Sequence, residues 1–69
     1  MPATIHIGNQ IRDELRRQQR TNQWFADQLG VNTRTVNKIF LKPVIDTQQL
    51  LLVSRVLNKD FFALYSALL

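Results

Sequence analysis

The sequence has no cysteine, one histidine, two glycines and two prolines in 69 residues. Without Cys there is no disulfide framework and no thiolate metal site, and His6 alone cannot assemble a metal centre. The longest apolar runs, Leu50–Val53 and Phe61–Tyr65, do not exceed five residues. A membrane-crossing helix needs about 20. The opening MPATIHIG has neither a basic nor an apolar signal region, so no secretory leader is expected. Also missing are a Gly-rich phosphate loop, a Cys nucleophile and a Ser/His/Asp grouping with a credible base, which argues against an enzyme. These absences leave one soluble intracellular domain over 1–69, with no cofactor, no metal and no catalytic residue expected. A core of this size supplies only about 3–5 kcal/mol by itself. Well-packed helices, an oligomeric partner, or both are needed.

What is present is charge of mainly one sign. Nine bases stand against five acids, a formal net charge of +4. Between Gln28 and Ile45 lie Arg34, Lys38 and Lys42 and no acid. A second group, Arg12, Arg16, Arg17 and Arg20, surrounds Asp13 and Glu14. A basic small domain suits a polyanionic partner, although the same charge also serves solubility.

Apolar residues recur at helical spacing. Ile7, Ile11 and Leu15 define one side of a first helix. Phe25 and Leu29 define a second, which Gly30 can stop by adopting φ > 0. Val36, Ile39 and Phe40 define a third, and Pro43 ends it because proline disfavours helix at Lys42. Leu50, Leu51, Val53 and Leu57 predict a fourth face; Phe61, Leu64, Tyr65 and Leu68 predict a fifth. Thr21, Asn32 and Asp46 are placed as N-caps of the second, third and fourth helices, with Gln49 as capping-box partner of Asp46. Asn58 or Asp60 can open the fifth helix, and Thr4–Ile7 admits a brief extended stretch. The expected fold is all-α, a compact bundle of five short helices.

Thr21 to Phe40 reads as a short helix, a Gly-containing turn and a second short helix, a helix-turn-helix at the centre of the bundle. On a wheel of ~100° per residue with Arg34 at ~0°, Val36, Ile39 and Phe40 fall at ~200°, ~140° and ~240°. Lys38, Asn37, Thr35 and Thr33 fall at ~40°, ~300°, ~100° and ~260°. One face is apolar; the other offers guanidinium, ammonium, amide and hydroxyl groups, the groups that read base edges. Any solvated helix has a polar face, but most intersperse both signs of charge, and this one carries no acid. A second helix of this kind enters the major groove of DNA.

The stretch TNQWFADQLGVNTRTVNKIF (21–40) resembles the helix-turn-helix of the phage-repressor and Cro-like group, the xenobiotic-response-element type. Its matches are Thr21 as first cap, Phe25, Ala26, Gly30, Val31, Asn32 as second cap, Val36 and Ile39. Upstream, Ile7 to Arg12 is similar to the Ile-Gly…Ile-Arg opening of that group's first helix. Downstream, DTQQLLLVSRVLNKDFFALY resembles its fourth and fifth helices, so the resemblance covers about residues 7 to 66. It implies a repressor-like domain that binds double-stranded DNA sequence-specifically as a transcriptional regulator of the repressor kind. It also implies a cytoplasmic, nucleoid-associated protein of bacterial or phage type. By the same resemblance Thr33, Arg34, Thr35, Asn37 and Lys38 contact bases, and Asn22, Gln23 and Lys42 contact phosphate. Helix N-termini favour anions, which suits Asn22 and Gln23. The chain departs from the pattern in having Asn22 where Gln often follows the cap, and Gln19-Arg20 where Gly and an apolar residue often precede it. It also has Phe40-Leu41-Lys42 where Glu-Asn-Gly is common, which suggests a more apolar core there.

Ala26 suits a close helix crossing, which a larger side chain would force apart. Trp24 and Tyr65 could stack on bases of a single strand, but their helical context favours packing. Arg12, Arg16 and Arg20, four apart, form either a phosphate-tracking stripe or a solvated face, and the solvated face is the simpler reading. Asp13 and Arg17 can pair at i, i+4. His6 reads as a surface residue near the terminus. The apolar carboxyl end, with Phe61, Phe62, Leu64, Tyr65, Leu68 and Leu69, exceeds what one short helix readily buries. Either the excess completes the core or it forms a homodimer contact, and the resemblance favours a dimer through Phe61, Phe62, Tyr65 and Leu68. Repressors of the resembled type bind two half-sites about 34–36 Å apart or multiples of that spacing. The competing reading is a protein-interaction module or antitoxin on the same fold, using that apolar surface.

Overall fold

Helices form where the apolar spacing places them: α1 Ile7–Arg17, α2 Asn22–Leu29, α3 Thr33–Leu41, α4 Thr47–Leu57 and α5 Phe62–Ser66. The computed structural model describes residues 5–69, and these contain no strand. Of the extended stretch expected over Thr4–Ile7, Thr4 lies outside the described residues. His6 is extended (φ −97°, ψ 96°), and Ile7 already belongs to α1.

Local capping sets the starts. Thr21, Asn32 and Asp46 accept the backbone N–H of Trp24, Thr35 and Gln49 at 3.0, 2.9 and 2.7 Å. His6 is more than a surface residue: its Nδ1 accepts the Asn9 N–H at 3.1 Å and caps α1. Asp60 rather than Asn58 serves α5, accepting the Ala63 N–H at 3.3 Å. Asn58 instead closes α4 in the left-handed conformation, φ 53°.

α1 also stops at a left-handed residue, Gln19, φ 58°. The following Arg20 N–H returns to Leu15 O at 3.1 Å, which satisfies a terminal carbonyl. Arg20 therefore lies beyond α1, and the Arg12–Arg16–Arg20 stripe is broken. Its guanidinium instead sits 4.5 Å above the ring of the half-buried Trp24.

Ile7, Ile11 and Leu15 of α1, Phe25 and Ala26 of α2, Val36, Ile39 and Phe40 of α3, and Leu50, Val53 and Leu57 of α4 build one buried core. Phe25 and Phe40 stack with ring centroids 6.3 Å apart. Three apolar expectations need correction. Leu51 is 46% exposed on the outer side of α4, and Leu41 is 77% exposed at the end of α3. Phe61 goes the other way: it is fully buried in the chain's own core, so it cannot serve a dimer contact. Phe62 and Tyr65 are half-buried, and Leu68 is exposed beyond α5.

The first turn of α1 rests on the end of α3. Ile7 N–H donates to Pro43 O at 3.1 Å and Gly8 N–H to Lys42 O at 2.9 Å, satisfying two donors that a helix start leaves free. A side chain at residue 8 would meet backbone: a Cβ there would lie 2.6 Å from Ile39 O and closer still to Phe40 O.

At the other end of α1, Glu14 is buried and ionised among donors. Arg17 binds it through Nε at 3.0 and 3.1 Å and Nη2 at 2.5 Å, so the Asp13–Arg17 pair is replaced by Glu14–Arg17. Gln18 Nε2 donates to Glu14 at 2.7 Å and to Leu57 O, the last carbonyl of α4, at 2.7 Å. Lys59 Nζ stands 3.7 Å away. The Arg17 hydrogen bonds, working against burial and aided by Gln18 and Lys59, hold the Glu14 carboxyl down at about 2.

Candidate nucleic-acid interface

α2 and α3 meet through a short turn whose parts have separate causes. Ala26 is fully buried at the crossing. Gly30 takes φ 73°, ψ 31°, with open space around it, so its backbone conformation and not crowding requires glycine. Val31 N–H then returns to Ala26 O at 3.0 Å and ends α2. Asn32, extended at φ −92°, ψ 167°, starts α3.

α3 is anchored by Val36 and Ile39, which are 0% and 1% exposed. With that side fixed inward, Arg34, Asn37 and Lys38 stand exposed outward, while Thr33 and Thr35 are half-buried at the flanks. The Thr35 hydroxyl turns to the cap, 3.2 Å from Asn32 Oδ1. Thr35 thus contributes to the start of α3.

The residues expected at phosphate divide. Asn22 Nδ2 donates to Asn37 Oδ1 at 3.4 Å, so the start of α2 and the outward face of α3 form one surface. Gln23 turns along its own helix to Asp27 Oδ1 at 2.8 Å, which places an acid beside it. Asn22 is accordingly the amide better placed next to α3. Lys42 is exposed just past α3, and its backbone is held on both sides: its N–H donates to Ile39 O at 3.1 Å and its carbonyl accepts from Gly8.

No acid lies between Asp27 and Asp46. Among the described residues the ion pairs are Arg12–Asp13, Arg17–Glu14 and Lys59–Glu14, and none of them includes Arg34, Lys38 or Lys42. Two open surface hollows, about 340 and 270 Å³, are lined from Val44 onward by the α3–α4 connection, α4, α5 and the loop between them; α3 lines neither.

Two features of this surface escape the sequence pattern. The Arg20–Trp24 stack has the i, i+4 spacing that could have flagged it. Leu41 lies seven residues after Arg34, and extending the wheel by one residue puts it on the outward stripe. Comparison with family models, curated proteins and solved structures finds no match to this chain.

Proposed function

We propose that the protein binds double-stranded DNA sequence-specifically by inserting α3 into the major groove, and that it regulates transcription, as a repressor. The observation that carries this reading is the acid-free outward face of α3. Arg34, Asn37 and Lys38 stand exposed and without ion-pair partners, opposite side chains locked in the core. Arg and Lys pair with guanine O6 and N7, and Asn with adenine N6 and N7. Asn22 and Lys42 flank the face and supply phosphate contacts. The resemblance of residues 21–40 to the repressor and Cro-like group supports the same reading.

The chain works as a homodimer in this proposal, through Phe62, Tyr65 and Leu68. The half-buried Phe62 and Tyr65 line the 270 Å³ hollow with Val44, Ile45 and Leu50, and Leu68 is 55% exposed beside α5. A chain that stays monomeric in sedimentation at micromolar concentration, free and with DNA, removes the dimer.

Selection of duplexes from a random pool tests the function directly. A recovered consensus is expected, with binding that weakens as salt rises by about 0.9 units of log–log slope per phosphate contacted. Arg34→Ala or Lys38→Ala is expected to cost about 1–3 kcal/mol and to relax preference at one position. Absence of salt-sensitive duplex binding overturns the reading and favours the protein-interaction module that uses the apolar carboxyl end, where Leu68 is 55% exposed.

A further inference from the structure

Leu41 is the most exposed large apolar side chain within any helix of the described residues, at 77%. It continues the stripe of Arg34, Asn37 and Lys38: at ~340° it falls between Asn37 at ~300° and Lys38 at ~40° on the wheel of α3. Lys38 precedes it by one turn and Lys42 follows it directly. An apolar partner protein would have to cover these two cations together with the leucine. A surface that presents phosphates around an apolar floor matches all three at once. DNA is such a surface, with deoxyribose faces and thymine methyl groups between its phosphate rows.

We infer that Leu41 is a DNA-contacting residue that packs against the apolar wall of the major groove, on a deoxyribose face or a thymine methyl. The inference rests on the DNA-binding reading of α3. Seven residues of helix advance about 10.5 Å, against a major groove about 12 Å wide. With Arg34 at the base edges, Leu41 arrives at the groove wall and Lys42 at the phosphates just outside. The contact explains why an otherwise polar face ends in leucine.

The test uses the full chain and a duplex recovered from the random pool, with binding measured for wild type, Leu41→Ala and Leu51→Ala. Leu51 is likewise exposed but lies on α4, so Leu51→Ala is expected to bind as wild type. Leu41→Ala is expected to fold normally by circular dichroism and to bind about 15-fold more weakly, at about fourfold for each of two methyl groups no longer buried. Replacing each thymine in turn with uracil separates the two sources. One position at which uracil weakens wild type about fourfold and leaves Leu41→Ala unchanged identifies a thymine methyl. A loss in Leu41→Ala that no uracil position mimics identifies deoxyribose. Leu41→Ala binding as tightly as wild type overturns the inference while leaving the DNA-binding reading intact. A wild-type chain that binds no duplex overturns both.

Discussion

The two glycines show how different physical demands select the same residue. Gly30 is required by its dihedral: nothing crowds it, but φ 73° penalises any side chain. Gly8 is required by space: it is an ordinary helical residue whose missing side chain lets α1 touch the backbone of Ile39 and Phe40. The expected outcomes differ accordingly. Gly30→Ala should lose about 1 kcal/mol through backbone strain alone. Gly8→Ala should lose more, at least about 2–3 kcal/mol, because the clash is with backbone that cannot rotate away. It must separate α1 from α3 and stretch the Gly8–Lys42 hydrogen bond that fixes the end of α3. Against a total of about 3–5 kcal/mol, Gly8→Ala should leave a large unfolded fraction at room temperature. Urea titration of both variants checks the order; a Gly8→Ala midpoint at or above that of Gly30→Ala contradicts it.

At the scale of elements, α1, α2 and α4 each end at a left-handed residue, and only α2 uses glycine for it. Asn58 tolerates this region through its short polar side chain, whereas Gln19 gains no such relief. Gln19→Gly is therefore expected to raise stability by about 0.5–1 kcal/mol, and Asn58→Gly by less, provided the Arg20 N–H to Leu15 bond persists. Thermal melts of both variants decide this, and a lower melting temperature for Gln19→Gly counts against strain at that residue. The helix starts were legible in the sequence because a cap and the spacing after it are local: Thr21, Asn32 and Asp46 all act as their residue types predict. The end of α1 was harder to read. Nothing in Gln19 advertises a left-handed turn, so Arg20 reads as the continuation of a stripe it has already left. Leu51, Leu41 and Phe61 fail for another reason. Whether an apolar side chain is covered depends on which neighbour lies across from it, and periodicity says only which face it shares. The outward face of α3 was legible, since Val36 and Ile39 fix its rotation. The Asn22–Asn37 and Gln23–Asp27 pairings that distinguish the two phosphate candidates needed the packed geometry.

Across the whole molecule the two ends of α1 do different work. Its start seats the end of α3, and its last turn is tied to the α4–α5 junction by Glu14, Gln18 and Lys59. Gln18 and Leu57 are 39 residues apart in sequence, so this tie has no local signature. It joins a buried carboxylate to Arg17, Gln18 and Lys59, and removing one member leaves the others badly matched. Glu14 is held at about 2 in the folded chain against an ordinary value of 4.5. The folded state therefore binds this proton less readily than the unfolded one. Its contribution to stability is complete above about pH 4.5 and disappears as pH falls toward 2. Glu14→Gln keeps the shape but loses the charge, and should lower the melting temperature at pH 7. Its melting temperature should also fall less than that of wild type between pH 4.5 and 2, so that the two curves converge in acid. Melting curves collected across that range for both proteins provide the measurement. Parallel curves with a constant offset would mean that Glu14 stabilises through packing and neutral hydrogen bonds, and that the carboxylate charge does not hold α1 to the rest of the bundle.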